Sequence, residues 1–338
     1  MSDMTPTLSV VIPLYRSADS IERVVADLAG LAVAGGMEIV LVNDGSPDDL
    51  RGACGRILAA CPVPVAIVNL ARNFGEHNAV LTGLREARGR WVVTMDDDGQ
   101  NPPSEVPKLL AAAQDGGYDA VFGAYVTKRH AAWRNGGSWF TNRVAGWVLD
   151  KPAGLYLSSF RCLSRFLVDQ ITRYEGPFSY IDGLILQSTR SLASVPVEHR
   201  VRAAGRSGYT IRKLLHLWTN MLVNFSVLPL RLATFLGLGM AALGVLGVAA
   251  VLVLYFTGQG PAFGWGSLMA ALLMFSGTQM VMLGLIGEYL GRTYLSANRR
   301  PQTVVRGVVR GGGAGGGPAG VNRTASAAAP PAAGAGLP

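Results

Sequence analysis

Between Leu232 and Phe256 the chain runs for 25 residues without one charged side chain. A helix of that length spans a hydrocarbon core roughly 30 Å thick, whereas few soluble cores need so long an uncharged run. A second apolar stretch, Trp265 to Gly287, has Gln279 as its most polar side chain, and the loop between, Thr257 to Gly264, is short and uncharged. The alternative, a buried helical hairpin of a soluble protein, is disfavoured by these lengths. Arg212, Lys213 and Arg231 precede the pair, and Arg292, Arg299, Arg300, Arg306 and Arg310 follow it. Basic residues on both outer flanks predict a transmembrane hairpin with both ends in the cytoplasm.

Composition fits that division. Hydrophobic residues make up 49% of the 338 and charged residues 15%, and much of the apolar excess lies between Leu228 and Leu290. The formal charge of +8 gathers beside the apolar spans, so it reads as lipid-facing and not as a nucleic-acid footprint. Cys54, Cys61 and Cys162 form no CxxC pair and are expected as reduced thiols. Leu8 to Leu14 is too short and lacks the basic lead of a signal peptide, so it is expected as a strand.

From Leu8 to about Ala124 apolar strand runs alternate with helical patterns. Leu8–Leu14, Met37–Asn43, Val65–Leu70, Trp91–Met95 and Tyr118–Phe122 are the expected strands, and Ser17 and Asp19 offer capping for a helix through Leu28. This alternation predicts an α/β domain with a mostly parallel sheet covered on both faces. The predicted organisation is a catalytic domain over 1–208, an interfacial amphipathic helix over 209–231, the hairpin over 232–291, a basic segment over 292–310 and a disordered Gly/Ala/Pro tail over 311–338.

Ligands of such sheets bind beyond the carboxyl ends of the strands, and two of those ends carry acids. Asp44-Gly45-Ser46 follows the second strand; an acid there accepts hydrogen bonds from a ribose or base, or caps a strand-to-helix turn. Asp96-Asp97-Asp98-Gly99-Gln100 follows the fourth. Asp96 and Asp98 with the Gln100 amide are hard oxygen ligands suited to Mg2+ or Mn2+ and, through it, to substrate phosphates. A solvated acidic turn before Pro102-Pro103 is the plainer reading of the same residues. No G-x-G-x-x-G follows the first strand and no P-loop lysine motif occurs, which argues against NAD enzymes and ATPases. The four histidines, His77, His130, His199 and His216, form no metal set and are expected in structural or solvated roles.

Ser9-Val-Val-Ile-Pro-Leu-Tyr15, Val42-Asn-Asp-Gly-Ser46, Ala71-Arg-Asn-Phe-Gly75 and Asp96-Asp-Asp-Gly-Gln-Asn-Pro-Pro103 resemble the signature set of family 2, GT-A-fold glycosyltransferases. Together with Gly205-Arg-Ser-Gly-Tyr209 and Gly284-Leu-Ile-Gly-Glu-Tyr-Leu-Gly-Arg292, they resemble in particular the polyprenyl-phosphate glycosyltransferases, the group of dolichyl-phosphate mannose synthase and the bacterial undecaprenyl-phosphate formamido-arabinose and glucosyl transferases. The likeness covers about Leu8 to Arg310.

That resemblance implies a nucleotide base near Pro13, Tyr15 and Asp44, and Asp96, Asp98 and Gln100 on the metal and the donor diphosphate. It implies an acceptor-phosphate site at Arg134, Ser138 and Arg202, with Asp98, Arg134 and Arg202 as the residues on which transfer depends. Two departures stand out: no acid precedes Phe160-Arg161, and Gly208 replaces the lysine of the family's Gly-x-Ser-Lys. The first leaves any general base unassigned. A phosphate monoester with a second pKa near ~6 is already largely anionic at neutral pH, so it needs orientation more than deprotonation. The expected reaction is inverting, metal-dependent transfer of a sugar from a nucleotide sugar to a polyprenyl phosphate at the cytoplasmic face of the inner membrane. The implied partners are the nucleotide-diphosphate sugar, the lipid phosphate and the membrane, with no nucleic acid and a homo-oligomer left open. A processive polysaccharide synthase is disfavoured by the lack of a Gln-x-x-Arg-Trp segment and by only two spans. A non-catalytic nucleotide-sugar-binding membrane scaffold is kept open by the missing acid.

Overall fold

The computed structural model describes residues 5–125, 152, 154–176, 179–200, 228–258, 265–298, 301–313 and 319–322. Its first half is the expected alternation: β1 (Leu8–Leu14), α1 (Ile21–Ala29), β2 (Met37–Asn43), α2 (Leu50–Ala60), β3 (Val65–Leu70), α3 (Glu76–Glu86), β4 (Trp91–Thr94), α4 (Val106–Gly116) and β5 (Ala120–Tyr125). Then come β6 (Arg161–Ser164), α5 (Arg165–Ile171), α6 (Ile181–Ser188) and β7 (Leu192–Val197). Two long helices, α7 (Leu228–Phe256) and α8 (Trp265–Ala297), are followed by β8 (Val305–Gly311) and β9 (Ala319–Asn322).

The period-2 geometry of a strand explains why β1 and β2 are apolar almost throughout. Leu8, Val10, Ile12 and Leu14 with Ile39 and Leu41 pack toward α1, α2 and α4, while Val11, Val40 and Val42 pack toward α3, α5 and α6. Gly83 lets α3 lie close to the sheet, since a Cβ there would sit 2.4 Å from Val11 Cγ1 and 2.9 Å from Val42 Cγ2.

The nine described strands form one sheet in the order β7-β5-β6-β4-β1-β2-β3-β8-β9. Parallel pairing joins β1 to β2 and β4, β2 to β3, and β5 to β7. Antiparallel pairing joins β3 to β8, β4 to β6, β5 to β6, and β8 to β9. The sheet is therefore mixed, not mostly parallel. The parallel core is as the alternation implied, but β6 and β8 enter by routes that local periodicity does not encode.

Two local expectations are corrected. Helix α1 starts later than Ser17 or Asp19, and its N-cap residue, Ser20, makes no side-chain cap bond. The Ser20 hydroxyl is committed elsewhere, donating to Asp97 O at 2.9 Å. Gly311 and Ala319–Asn322, placed in a disordered tail by composition, are strand. Val305-Arg-Gly-Val-Val-Arg-Gly311 pairs antiparallel with β3 and covers its otherwise open edge. Ala71 N donates to Val304 O at 2.8 Å, and Arg310 pairs with Glu86 at 2.7 Å.

Helix α7 has 29 residues and α8 has 33. They touch where a Cβ on Gly237, in the first half of one helix, would lie 3.1 Å from Met282 Cε, near the middle of the other. Their side chains include Phe235, Leu238, Leu243, Leu246, Met280 and Val281, all exposed. Counted on the described side chains alone, no helix is long and apolar enough to cross a membrane. The interfacial helix expected over 209–231 falls mostly outside the described residues.

Candidate active site

β1 lies at the switch point of the sheet. From it the chain winds through β2 and β3 to one side, then returns to place β4 on the other. Loops leaving neighbouring strands in opposite directions open a crevice at their carboxyl ends, and there a ligand fits. Tyr15 follows β1, Asp44 follows β2 and the acidic run follows β4, so the topology brings the three predicted segments together.

The Asp44 carboxylate is buried, and both its oxygens accept backbone hydrogens: Phe74 N donates to Oδ1 at 2.7 Å and Gly75 N to Oδ2 at 2.9 Å. Burial pushes the Asp44 carboxyl up, and these two N–H groups and the Arg72 guanidinium oppose it. Its first task is structural: it fixes the loop that leads into α3. Gly45, at φ +63°, completes the fit, because a Cβ would lie 2.5 Å from the Arg72 carbonyl carbon. Pro13 is half-buried within β1, and Tyr15 is exposed at the crevice mouth.

The three adjacent acids face different ways. Asp97 accepts Tyr15 N at 3.2 Å, which ties the β4 end to the β1 end. Its carboxyl is pushed up by burial and by Asp96 and Asp98, against the Ser17 hydroxyl and the Tyr15 N–H. Asp96 Oδ2 accepts the Ser159 hydroxyl at 2.6 Å, and Asp98 Oδ1 accepts Gln100 N at 3.0 Å. Asp96, Asp98 and Gln100 are half-buried, beside solvent and not sealed from it. Gln100 Nε2 donates to Arg200 O at 3.4 Å, and Arg200 N donates to Gln100 O at 2.9 Å.

Sequence reasoning missed the supporting layer. Glu76, first residue of α3 and open to solvent on one side, has its carboxyl pushed up to about 7, by burial first and then by Asp96, opposed by Arg161. Arg161 is buried, pairs with Asp182 and donates to Thr94 Oγ1 at 3.2 Å. His77, in edge contact with the Tyr180 ring at 5.2 Å, is held below its usual range by burial. Ser159 occupies the stretch before Phe160 in which the resemblance led us to look for an acid. It reaches Asp96 because β6 runs antiparallel to β4 and pairs Thr94 with Arg161. That register was not readable from the sequence. Arg134, Ser138 and Arg202, the acceptor-phosphate candidates, lie outside the described residues.

A divalent cation suits the acidic side chains in chemistry. They are oxygen ligands at a strand end, and the crowding of Asp96, Asp97, Asp98 and Glu76 is the kind of charge excess that a cation relieves. Among the described residues no group of three or more His, Cys, Asp or Glu side chains is arranged to hold a metal by itself. A site of one or two carboxylates completed by substrate phosphates is the arrangement characteristic of Mg2+.

The glycosyl transferase family 2 model matches residues 9–170. An undecaprenyl-phosphate 4-deoxy-4-formamido-L-arabinose transferase of Pseudomonas savastanoi pv. phaseolicola is 32% identical over 311 residues, covering 90% of this chain and 91% of its own. One of the same name from Klebsiella pneumoniae subsp. pneumoniae is 34% identical over 307 residues, covering 90% and 94%. Among solved structures, glucosyl-3-phosphoglycerate synthase from Mycobacterium tuberculosis, in complex with Mn2+, UDP-glucose and phosphoglyceric acid, aligns with a TM-score of 0.47 and 18% identity, over 64% of this chain and 78% of that one. The architecture is the GT-A glycosyltransferase α/β fold with a mixed sheet. The chain belongs to glycosyl transferase family 2.

Proposed function

We propose that this protein transfers a sugar, with inversion at the anomeric carbon, from a nucleotide diphosphate to a polyprenyl phosphate of the undecaprenyl type. The observation that carries the reading is end-to-end similarity, over 90% of the chain, to transferases named for an undecaprenyl-phosphate acceptor. Pro13, Tyr15 and Asp44 would receive the nucleoside, and Asp96, Asp98 and Gln100 would hold Mg2+ or Mn2+. When bound, the ion supplies positive charge to the leaving diphosphate. The chain's own residues do the positioning. Ser159 orients Asp96, Gln100 N orients Asp98, and Asp97 joins the β1 and β4 loops. Arg134, Ser138 and Arg202 are proposed to hold the acceptor phosphate, for which a guanidinium fork is well shaped. Their task is orientation, because the phosphate is already anionic.

The lipid acceptor calls for a membrane. The uncharged run from Leu232 to Phe256 and the exposed apolar side chains of α7 and α8 support a transmembrane hairpin. The basic flanks favour an inner-membrane protein whose catalytic domain and termini are cytoplasmic. Membranes containing the full chain, incubated with radiolabelled nucleotide sugars and undecaprenyl phosphate, should yield a singly glycosylated lipid. A polymer, or no lipid product with any donor, would contradict the proposal.

A further inference from the structure

Three aromatic rings stand beside the acidic run, and none of them was expected there. Tyr125 ends β5, Tyr156 lies in the loop before β6, and His199 follows β7. Parallel pairing of β5 with β7 sets Tyr125 opposite Val197, so the chain brings His199 to the same edge two residues later. The Tyr125 and His199 rings lie 4.1 Å apart at 34°, close to stacked, and Tyr156 meets Tyr125 edge-on at 5.7 Å and 75°. The Tyr125 hydroxyl donates to Asn101 Oδ1 at 3.0 Å, which anchors the inner ring to the segment that carries Asp96, Asp98 and Gln100. Asn101 is buried, and its Nδ2 has no acceptor among the described residues. The paired hydrogen bonds between Gln100 and Arg200 hold the outer ring's segment to the same motif. Tyr125 is half-buried and His199 is exposed, so the stack is backed on one side and open on the other.

Resting on the function proposed above, we infer that His199 is a contact residue for the transferred sugar, its ring backed by Tyr125 and held beside the donor-diphosphate motif through Gln100. A pyranose or furanose ring has an apolar C–H face and a polar rim. An aromatic face with its negative quadrupole attracts the C–H groups, and the ring nitrogens of a histidine reach hydroxyls at the rim. The position follows from the chain. His199 is tied through Arg200 to Gln100, in the segment that carries Asp96 and Asp98.

The test separates this contact from donor binding itself. The full chain, purified in detergent with Mn2+, is titrated with UDP and UDP-sugars and with GDP and GDP-mannose. The readout is the ratio of nucleoside-diphosphate Kd to nucleotide-sugar Kd for the pair that binds. His199→Ala should lower that ratio about three- to ten-fold and leave the diphosphate Kd unchanged, while His199→Phe should restore it to within about two-fold. An unchanged ratio in His199→Ala, or equal weakening of diphosphate and nucleotide sugar, would overturn the sugar contact alone. Failure of the unsubstituted chain to bind any nucleoside diphosphate would overturn the donor reading, and the contact with it.

Discussion

The Ser159 hydroxyl donates to Asp96 Oδ2 at 2.6 Å, from just before the Phe160-Arg161 segment, where no acid is found. A hydroxyl there orients the carboxylate without adding a fourth negative charge to Asp96, Asp97 and Asp98. Removing it should leave the fold intact and the carboxylate less well held. Ser159→Ala is expected to lower kcat several-fold and to raise the concentration of Mn2+ needed for half-maximal transfer, read by metal titration of the lipid-product assay. Unchanged metal dependence would show that Ser159 has no hold on the site.

Asp44 supports the loop before α3 with both oxygens. Asp44→Ala leaves the buried N–H groups of Phe74 and Gly75 without acceptors, at about 1–3 kcal/mol each if no water reaches them. A clear fall in Tm together with weaker nucleotide binding is expected. Asp44→Asn keeps one acceptor oxygen and should fall between, as measured by thermal unfolding with and without nucleotide.

Glu76 gives the site a pH dependence of defined sign. Its folded pKa, about 7, lies above the ordinary value of 4.5, so between those values the folded protein binds more protons than the unfolded chain. Stability from this group therefore falls as pH rises from 4.5 to 7, and the penalty is complete above 7. In the chelated, metal-free protein Glu76→Gln should raise Tm at pH 8 and make little difference near pH 4.5. A larger gain at the acid end would contradict the crowding by Asp96 and Asp97.

The segment after the long helices belongs to the catalytic sheet. Thr303 Oγ1 lies 3.0 Å from Thr82 Oγ1, Arg85 donates to Gln302 Oε1 at 2.9 Å, and β8 runs along β3 from Val305 to Gly311. Truncation before Pro301 uncovers the edge of β3 and should produce a less stable, aggregation-prone protein. Truncation after Asn322 should leave Tm within a degree or two, by thermal unfolding and size-exclusion chromatography.

The sequence made legible what local periodicity encodes. β1 through β4 lie where their β-branched runs place them, because strands buried on both faces are apolar throughout. The acids at the ends of β2 and β4 were readable for the same reason: the strand boundaries fix them. What was not readable depends on contacts distant in sequence. Ser159 reaches Asp96 through the β4–β6 register, and Arg161 meets Asp182 only once α6 is packed. His199 lies 74 residues beyond Tyr125, so nothing in its arginine-rich neighbourhood suggested a ring stack. Strand β8 was hidden by another cause, since Arg306 and Arg310 place its valines in a segment that reads as a basic flank of the hairpin, and only Gly311 falls in the Gly-rich tail.

Asp96 and Asp98 are proposed to serve a metal-dependent transfer to a lipid phosphate. Its most direct measurement is the radiolabelled glycosyl-lipid formed by membranes carrying the full chain, with and without added Mg2+ or Mn2+ after chelation, for the unsubstituted protein and for Asp98→Ala. Lipid product should disappear on chelation and return with the cation, and the Asp98→Ala protein should still be membrane-bound but make none. Product that persists through chelation, or transfer retained by Asp98→Ala, would contradict that role.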